Sequence, residues 1–226
     1  MNGFFPEGWN TQVTDSKKAF TPAFLAEAQA KQTVLESTAL MCDAAHNLII
    51  DLGQIKGIIP REEGAIGIAD GSTRDIALIS RVGKPVCFAV TAIGNDENGR
   101  PCAVLSRRKA QQLCREYILT QKSEGDIINA KITHMESFGA FCDIGCGNIA
   151  LLPIDAISVS RISHPRDRFF IGQNIRVIIN EISLNFRTNQ DDYFRQPLTI
   201  QREHRNFSIL HCSSSPCKAQ HCVGIY

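Results

Sequence analysis

Two segments of this chain, NLIIDLGQIKGIIP at 47–60 and GAFCDIGCGNIALLP at 139–153, obey one grammar. Each runs through a short extended stretch, an aspartate, a glycine turn, a second extended stretch and a proline, so Asp51 answers Asp143 and Pro60 answers Pro153. An internal repeat of a supersecondary unit constrains the fold strongly, because one such unit cannot bury its apolar face alone. More short β-rich runs surround both copies: DIALISRVGKPVCFAVTAIGNDENGRPCAVLS follows the first, with NDENG as its hairpin turn. DIINAKITHM and GQNIRVIINEI flank the second. Short strands with regular turn signals predict a small barrel for each copy. A chain of 226 residues, 43% of them apolar, has room for one large domain or two small ones.

Between the two β units the periodicity changes. In SRRKAQQLCREYILT, residues Ala110, Leu113, Cys114, Tyr117 and Ile118 fall on one face at helical spacing, with Ser106 as the cap. The spacing predicts a linker helix over 106–122, joining a β unit at 37–105 to another at 123–186. Thr21-Pro22 is a second helix start, a hydroxyl cap followed by proline, and places a helix in an N-terminal arm, 1–36. In the second unit Ile128, Ala130 and Ile132 share one face, and Ile175, Val177 and Ile179 alternate inward. After Ile182 no period is sustained, so 187–226 is expected to be irregular and partly disordered. Either PLTIQ, at 197–201, supplies a last strand after a longer hairpin or the second barrel stays incomplete.

FGAFCDIG, at 138–145, sets a local problem. In a regular strand Phe138 and Phe141, three apart, face opposite sides. Alternation alone leaves two readings equally open: both rings outward through a distortion of the strand, or Phe141 in the core and Phe138 alone exposed.

The run GDIINAKITHMESFGAFCDIG, followed by NIALLPIDAIS and GQNIRVIINEI, resembles the S1 RNA-binding domain, a five-stranded OB-fold module, in order and spacing. The segment from about Leu35 to VLSRRKA looks like a diverged copy. The arrangement is similar to small S1-like proteins of Gram-positive bacteria. The resemblance implies a mainly β fold of two tandem OB-fold barrels joined by a helix. It also implies that Phe138 and Phe141 lie together on an outward face, with Gly139 permitting the bend. Stacked rings of this kind hold single-stranded RNA with little sequence demand. In SRISHPRDRFF, Arg161, His164, Arg166 and Arg168 occupy a loop on the ligand side that the family uses, and Lys131 and Arg176 lie on neighbouring strands. These six are the expected phosphate contacts. A family histidine after the glycine turn is replaced here by Pro153, so one contact is missing. The first copy departs further, offering only His46 and Leu48 where the aromatic pair belongs, and is expected to be a spacer or protein-contact module.

Charge bears on this reading. With 24 Lys+Arg against 23 Asp+Glu the net charge is +1, so affinity for nucleic acid must come from a local patch. The near-neutral balance equally suits the alternative, an OB-fold adaptor that binds protein through the Phe138/Phe141 face and the linker helix. Nine scattered cysteines fit free thiols in a reducing compartment. No run is long and apolar enough for a membrane helix, and the expected location is cytoplasmic. GAIGIADG lacks the lysine of a phosphate loop, and no catalytic constellation or cofactor site is nominated. The tail residues His211, Cys212, Cys217, His221 and Cys222 crowd too closely for a structural zinc site, and Cys142 and Cys146 read as buried or turn thiols. The expected partners are single-stranded RNA and the ribosome or RNA-processing proteins.

Overall fold

The computed structural model describes residues 4–9, 20–96 and 99–182, together with a strand at 198–202. Two closed barrels of five strands account for most of it. The first comprises β1 (Leu35–Cys42), β2 (Leu48–Leu52), β3 (Ile55–Ile59), β4 (Pro85–Asn95) and β5 (Pro101–Ser106). The second comprises β6 (Ile127–Glu136), β7 (Gly139–Asp143), β8 (Ile149–Pro153), β9 (Asn174–Glu181) and β10 (Leu198–Arg202). Both share one topology: an antiparallel three-strand meander, then a final strand that runs parallel to the third and antiparallel to the fourth. The fold is that of tandem OB barrels, and β10 closes the second of them. The rest of the tail, with the candidate zinc ligands His211, Cys212, Cys217, His221 and Cys222, lies outside the described residues.

The repeated grammar has a physical basis in the turns. Asp51 accepts the backbone N–H of Gly53 at 3.0 Å, and Asp143 accepts those of Gly145 and Gly147 at 2.8 and 3.0 Å. Each aspartate therefore folds its own turn. Pro60 and Pro153 in turn open single-turn helices, Arg61–Glu63 and Ile154–Ala156. The first strand of each barrel carries a bulge at the same place: the register slips between Ala39 and Met41 in β1 and between Ile132 and His134 in β6.

The helix α1 (Pro22–Ala30) is capped by Thr21, whose hydroxyl accepts the Phe24 N–H. It is not a projecting arm. Leu25 and Ala28 are buried, and Leu25 joins the core of the first barrel with Phe88, Leu48 and Ile59, where burial of a leucine contributes about 2 kcal/mol. A further short helix, α2 (Ile76–Ile79), precedes β4. The linker α3 (Arg107–Gln121) starts at Ser106, whose hydroxyl accepts the Lys109 N–H. Ala110, Cys114 and Ile118 pack into the second barrel's core together with Cys87 of β4, so the helix face expected from spacing becomes the seam between barrels. Cys142 and Cys146 are also buried here.

The polar centre of that seam is Glu7, from the segment Phe4–Trp9. Its carboxylate accepts Arg107 Nε and Nη2 at 2.7 and 3.0 Å, Arg81 Nη1 at 3.0 Å and the Cys87 N–H at 3.3 Å. Its own N–H donates to Asp143 Oδ2 at 2.8 Å. Both partners of the Glu7–Arg107 pair have side chains only 4% exposed. Burial would raise the Glu7 pKa, but the two guanidinium groups and the Cys87 N–H outweigh it and hold the carboxyl below its usual range. For Asp143 the balance is reversed: burial first, then the adjacent Glu7 charge, push it up to about 7.

Glu7→Gln should therefore leave a buried guanidinium without its counter-charge, a loss of about 3–5 kcal/mol. The expected fall in thermal midpoint is roughly 10 °C. Asp143 adds a pH dependence. Because its folded-state pKa is raised, its contribution is full at acid pH and is lost as pH rises from the ordinary carboxylate range through about 7. The thermal midpoint should thus drop between about pH 5 and pH 8, and Asp143→Asn should flatten that drop. A wild-type profile that rises across the same window would contradict this assignment.

Candidate nucleic-acid interface

The outward face of the second barrel is built by β6, β7 and β8, and its rows follow from the register. Lys131, Asp143 and Ile149 form one row; His134, Phe141 and Leu151 the next; Glu136, Gly139 and Pro153 the last. The first row is covered. Lys131 Nζ donates to the carbonyls of Glu7 and Gly8 at 3.1 and 3.3 Å, and Asp143 lies buried under Glu7. Lys131, expected on sequence grounds to meet phosphate, is instead bound to the N-terminal segment, because that segment crosses the face at its position.

The second row carries aromatic rings. Phe138 and Phe141 sit edge to face, with centroids 6.0 Å apart and an interplanar angle of 89°. The His134 ring lies 6.1 Å from Phe141 at 30°. Phe138 is 55% exposed, Phe141 is half-buried on the outer side and Ala140 and Cys142 point into the core. Both phenylalanines thus reach the surface, but not through a bend at Gly139. Phe138 belongs to the two-residue turn between β6 and β7, which frees it from strand alternation. Gly139 serves a different need: a Cβ there would lie 2.6 Å from the Leu152 carbonyl oxygen, so the approach of β8 leaves no room for a side chain.

His134 escapes simple sequence reasoning. Period-two alternation from Ile128, Ala130 and Ile132 assigns it to the core. The bulge at Thr133 reverses the phase, sending Met135 inward and His134 and Glu136 outward. The visible signal is the consecutive polar pair Thr133-His134 between Ile132 and Met135. Thr133 anchors the bulge by donating its hydroxyl to the Phe141 carbonyl at 3.0 Å.

The loop between β8 and β9 supplies positive charge. Arg161, Arg166 and Arg168 are exposed, and none pairs with a carboxylate among the described residues. His164 caps the single-turn helix Pro165–Asp167, its Nδ1 accepting the Arg166 N–H at 3.1 Å while Asp167 accepts the His164 N–H at 3.2 Å. This turn packs against β6, and Phe169 fixes the loop by entering the core. Arg166, on this turn, therefore sits beside the strand that carries His134, with Arg161 and Arg168 on the same loop. Arg176 lies apart from them on β9, opposite Asn129, and lines a cavity of about 310 Å³ with Phe4, Phe5 and Tyr117.

The first barrel builds the same face from other side chains. Its bulge places Leu40 and Met41 outward, 54% and 53% exposed, and Ile49 opposite Met41 where Phe141 opposes His134. Leu48 is fully buried, one residue out of step with the sequence alignment, and His46 sits in a turn at φ 60° with Nδ1 3.5 Å from Asp75. No aromatic ring takes the place of Phe141 there.

Residues 121–187 match the family model of the S1 RNA binding domain. Small ribosomal subunit protein bS1 of Staphylococcus aureus is 30% identical over 139 residues, 60% of this chain, and that of Staphylococcus epidermidis is 28% identical over the same length. The chain spans about a third of the length of these curated relatives, 33% in both. Among solved structures, a multidomain protein with nucleic acid binding domains from Streptococcus pneumoniae aligns with 80% of this chain and 54% of its own, at 12% identity and a TM-score of 0.30. The second barrel coincides with the segment that matches the S1 RNA binding domain model.

Proposed function

We propose that this chain binds single-stranded RNA through the outward face of its second barrel, without a chemical step, in a role tied to translation. The observation that carries the reading is the ring strip Phe138, Phe141 and His134, with the single-turn helix of the arginine loop packed against the strand that bears His134. Every base has a π-face, so exposed rings accept successive bases with little sequence demand, at about 1–3 kcal/mol per base. Phosphates of the same strand are drawn by Arg161, Arg166 and Arg168, and charge so localised suits a chain of net charge +1. The bS1 relatives are small ribosomal subunit proteins, which supports the ribosome as a partner and a cytoplasmic setting; RNA-processing proteins are further candidates. No helix among the described residues is long and apolar enough to cross a membrane.

The second reading, protein contact, is favoured at the first barrel, where Leu40 and Met41 replace rings with exposed aliphatic groups. Salt separates the two, since phosphate contacts release counterions and an apolar docking face does not. Fluorescence anisotropy with a labelled single-stranded RNA decamer should show affinity falling with salt at a log–log slope near −2, given about −0.7 per neutralised phosphate and three arginines. Arg161→Gln, Arg166→Gln and Arg168→Gln should each reduce that slope. Phe138→Ala with Phe141→Ala should weaken binding by about 30-fold or more while the barrel stays folded. Absence of binding at low salt, with folded protein, would overturn the RNA reading.

A further inference from the structure

Beside the ring strip stands a pair that stacking does not require. His134 Nε2 and Glu136 Oε1 lie 2.6 Å apart, with side chains 59% and 50% exposed. Both point outward because of the bulge, and Glu136 occupies the row next to Phe141, opposite Gly139. Its second carboxylate oxygen has no hydrogen bond among the described residues. A carboxylate repels phosphate and only accepts hydrogen bonds, so it does not belong to the backbone-binding side of an RNA site. That side is supplied by Arg161, Arg166 and Arg168.

We propose that Glu136, positioned by His134, reads the edge of the base stacked on Phe141 and selects guanosine. This inference rests on the RNA reading above. The geometry favours it because the imidazole plane is only 30° from that of Phe141. A base lying on Phe141 is therefore close to parallel with the imidazole, and Glu136 stands in the next row beside it. Guanine presents N1–H and N2–H side by side, two donors that one carboxylate accepts together in charge-assisted bonds. Uracil flanks its single N–H with carbonyl oxygens, which face the same carboxylate unfavourably. Adenine offers one amino group beside a ring acceptor. His134 contributes twice, as a third ring and as the hydrogen-bond partner that holds the Glu136 carboxylate at the strip.

The test uses three labelled decamers of uridine with one central guanosine, inosine or adenosine, titrated against the full chain by anisotropy. Inosine keeps the guanine ring and N1–H but lacks the N2 amino group. The expected result is about tenfold tighter binding of the guanosine decamer than of the inosine one. In Glu136→Gln, whose fold is checked by thermal melting, the ratio should fall to within about twofold with adenosine binding unchanged. Equal binding of the guanosine and inosine decamers by the wild type, or an undiminished ratio in Glu136→Gln, would overturn the selection by Glu136 and leave the RNA reading standing. Failure of all three decamers to bind would overturn both.

Discussion

The buried pair between Glu7 and Arg107 organises the molecule. A carboxylate removed from water is tolerated only when its lone pairs are satisfied, and this one accepts from three separate parts of the chain. Arg107 is the first residue of the linker helix, Arg81 and the Cys87 N–H belong to the first barrel, and the Glu7 backbone reaches Asp143 of the second. Hydrogen bonds are directional, so these contacts fix how the barrels face one another in a way that the apolar seam of Cys87, Cys114 and Ile118 would not. α3 adds two more: Gln111 accepts the Ile66 N–H on one side and donates to the Gly147 carbonyl on the other.

The same segment that joins the barrels divides the face of the second one. Phe4–Trp9 lies across the row of Lys131 and Asp143, and Lys131 is occupied by its carbonyls. What remains for a ligand is the row of His134, Phe141 and Leu151, and Phe138 at the turn. The short aromatic surface and the seam are thus two halves of one sheet face, and residues that look equivalent by alternation have different roles according to which half they occupy.

Much of this architecture is legible in the sequence. The repeated strand, aspartate, glycine, strand and proline order marks β2 with β3 and β7 with β8, since each aspartate folds its own turn. The linker helix shows in its cap and its 3.6-residue spacing. The less legible parts depend on contacts between residues distant in the chain. Glu7 finds Arg107 a hundred residues away, and no local pattern in FFPEGW announces it. Lys131 reads as an exposed strand cation until the N-terminal segment is laid over it. His134 was hidden by phase: a bulge adds one residue to a strand, and every inference from period two beyond it changes side.

The two barrels also show how a repeated backbone supports unlike surfaces. Both carry the bulge at the same step of their first strand, so both send two successive residues toward solvent: Leu40 and Met41 in one, Thr133 and His134 in the other. The backbone decides which positions are presented, and the side chains decide to what. Aliphatic groups lose water on contact but have no π-face with which to hold a flat base, whereas a phenylalanine beside a near-parallel imidazole does. The arginines of the second barrel's β8–β9 loop stand on a loop whose Phe169 is anchored in the core. Under the proposed reading, a flexible strand of bases and phosphates would find both rings and arginines on the second barrel, while the first offers exposed aliphatic groups instead.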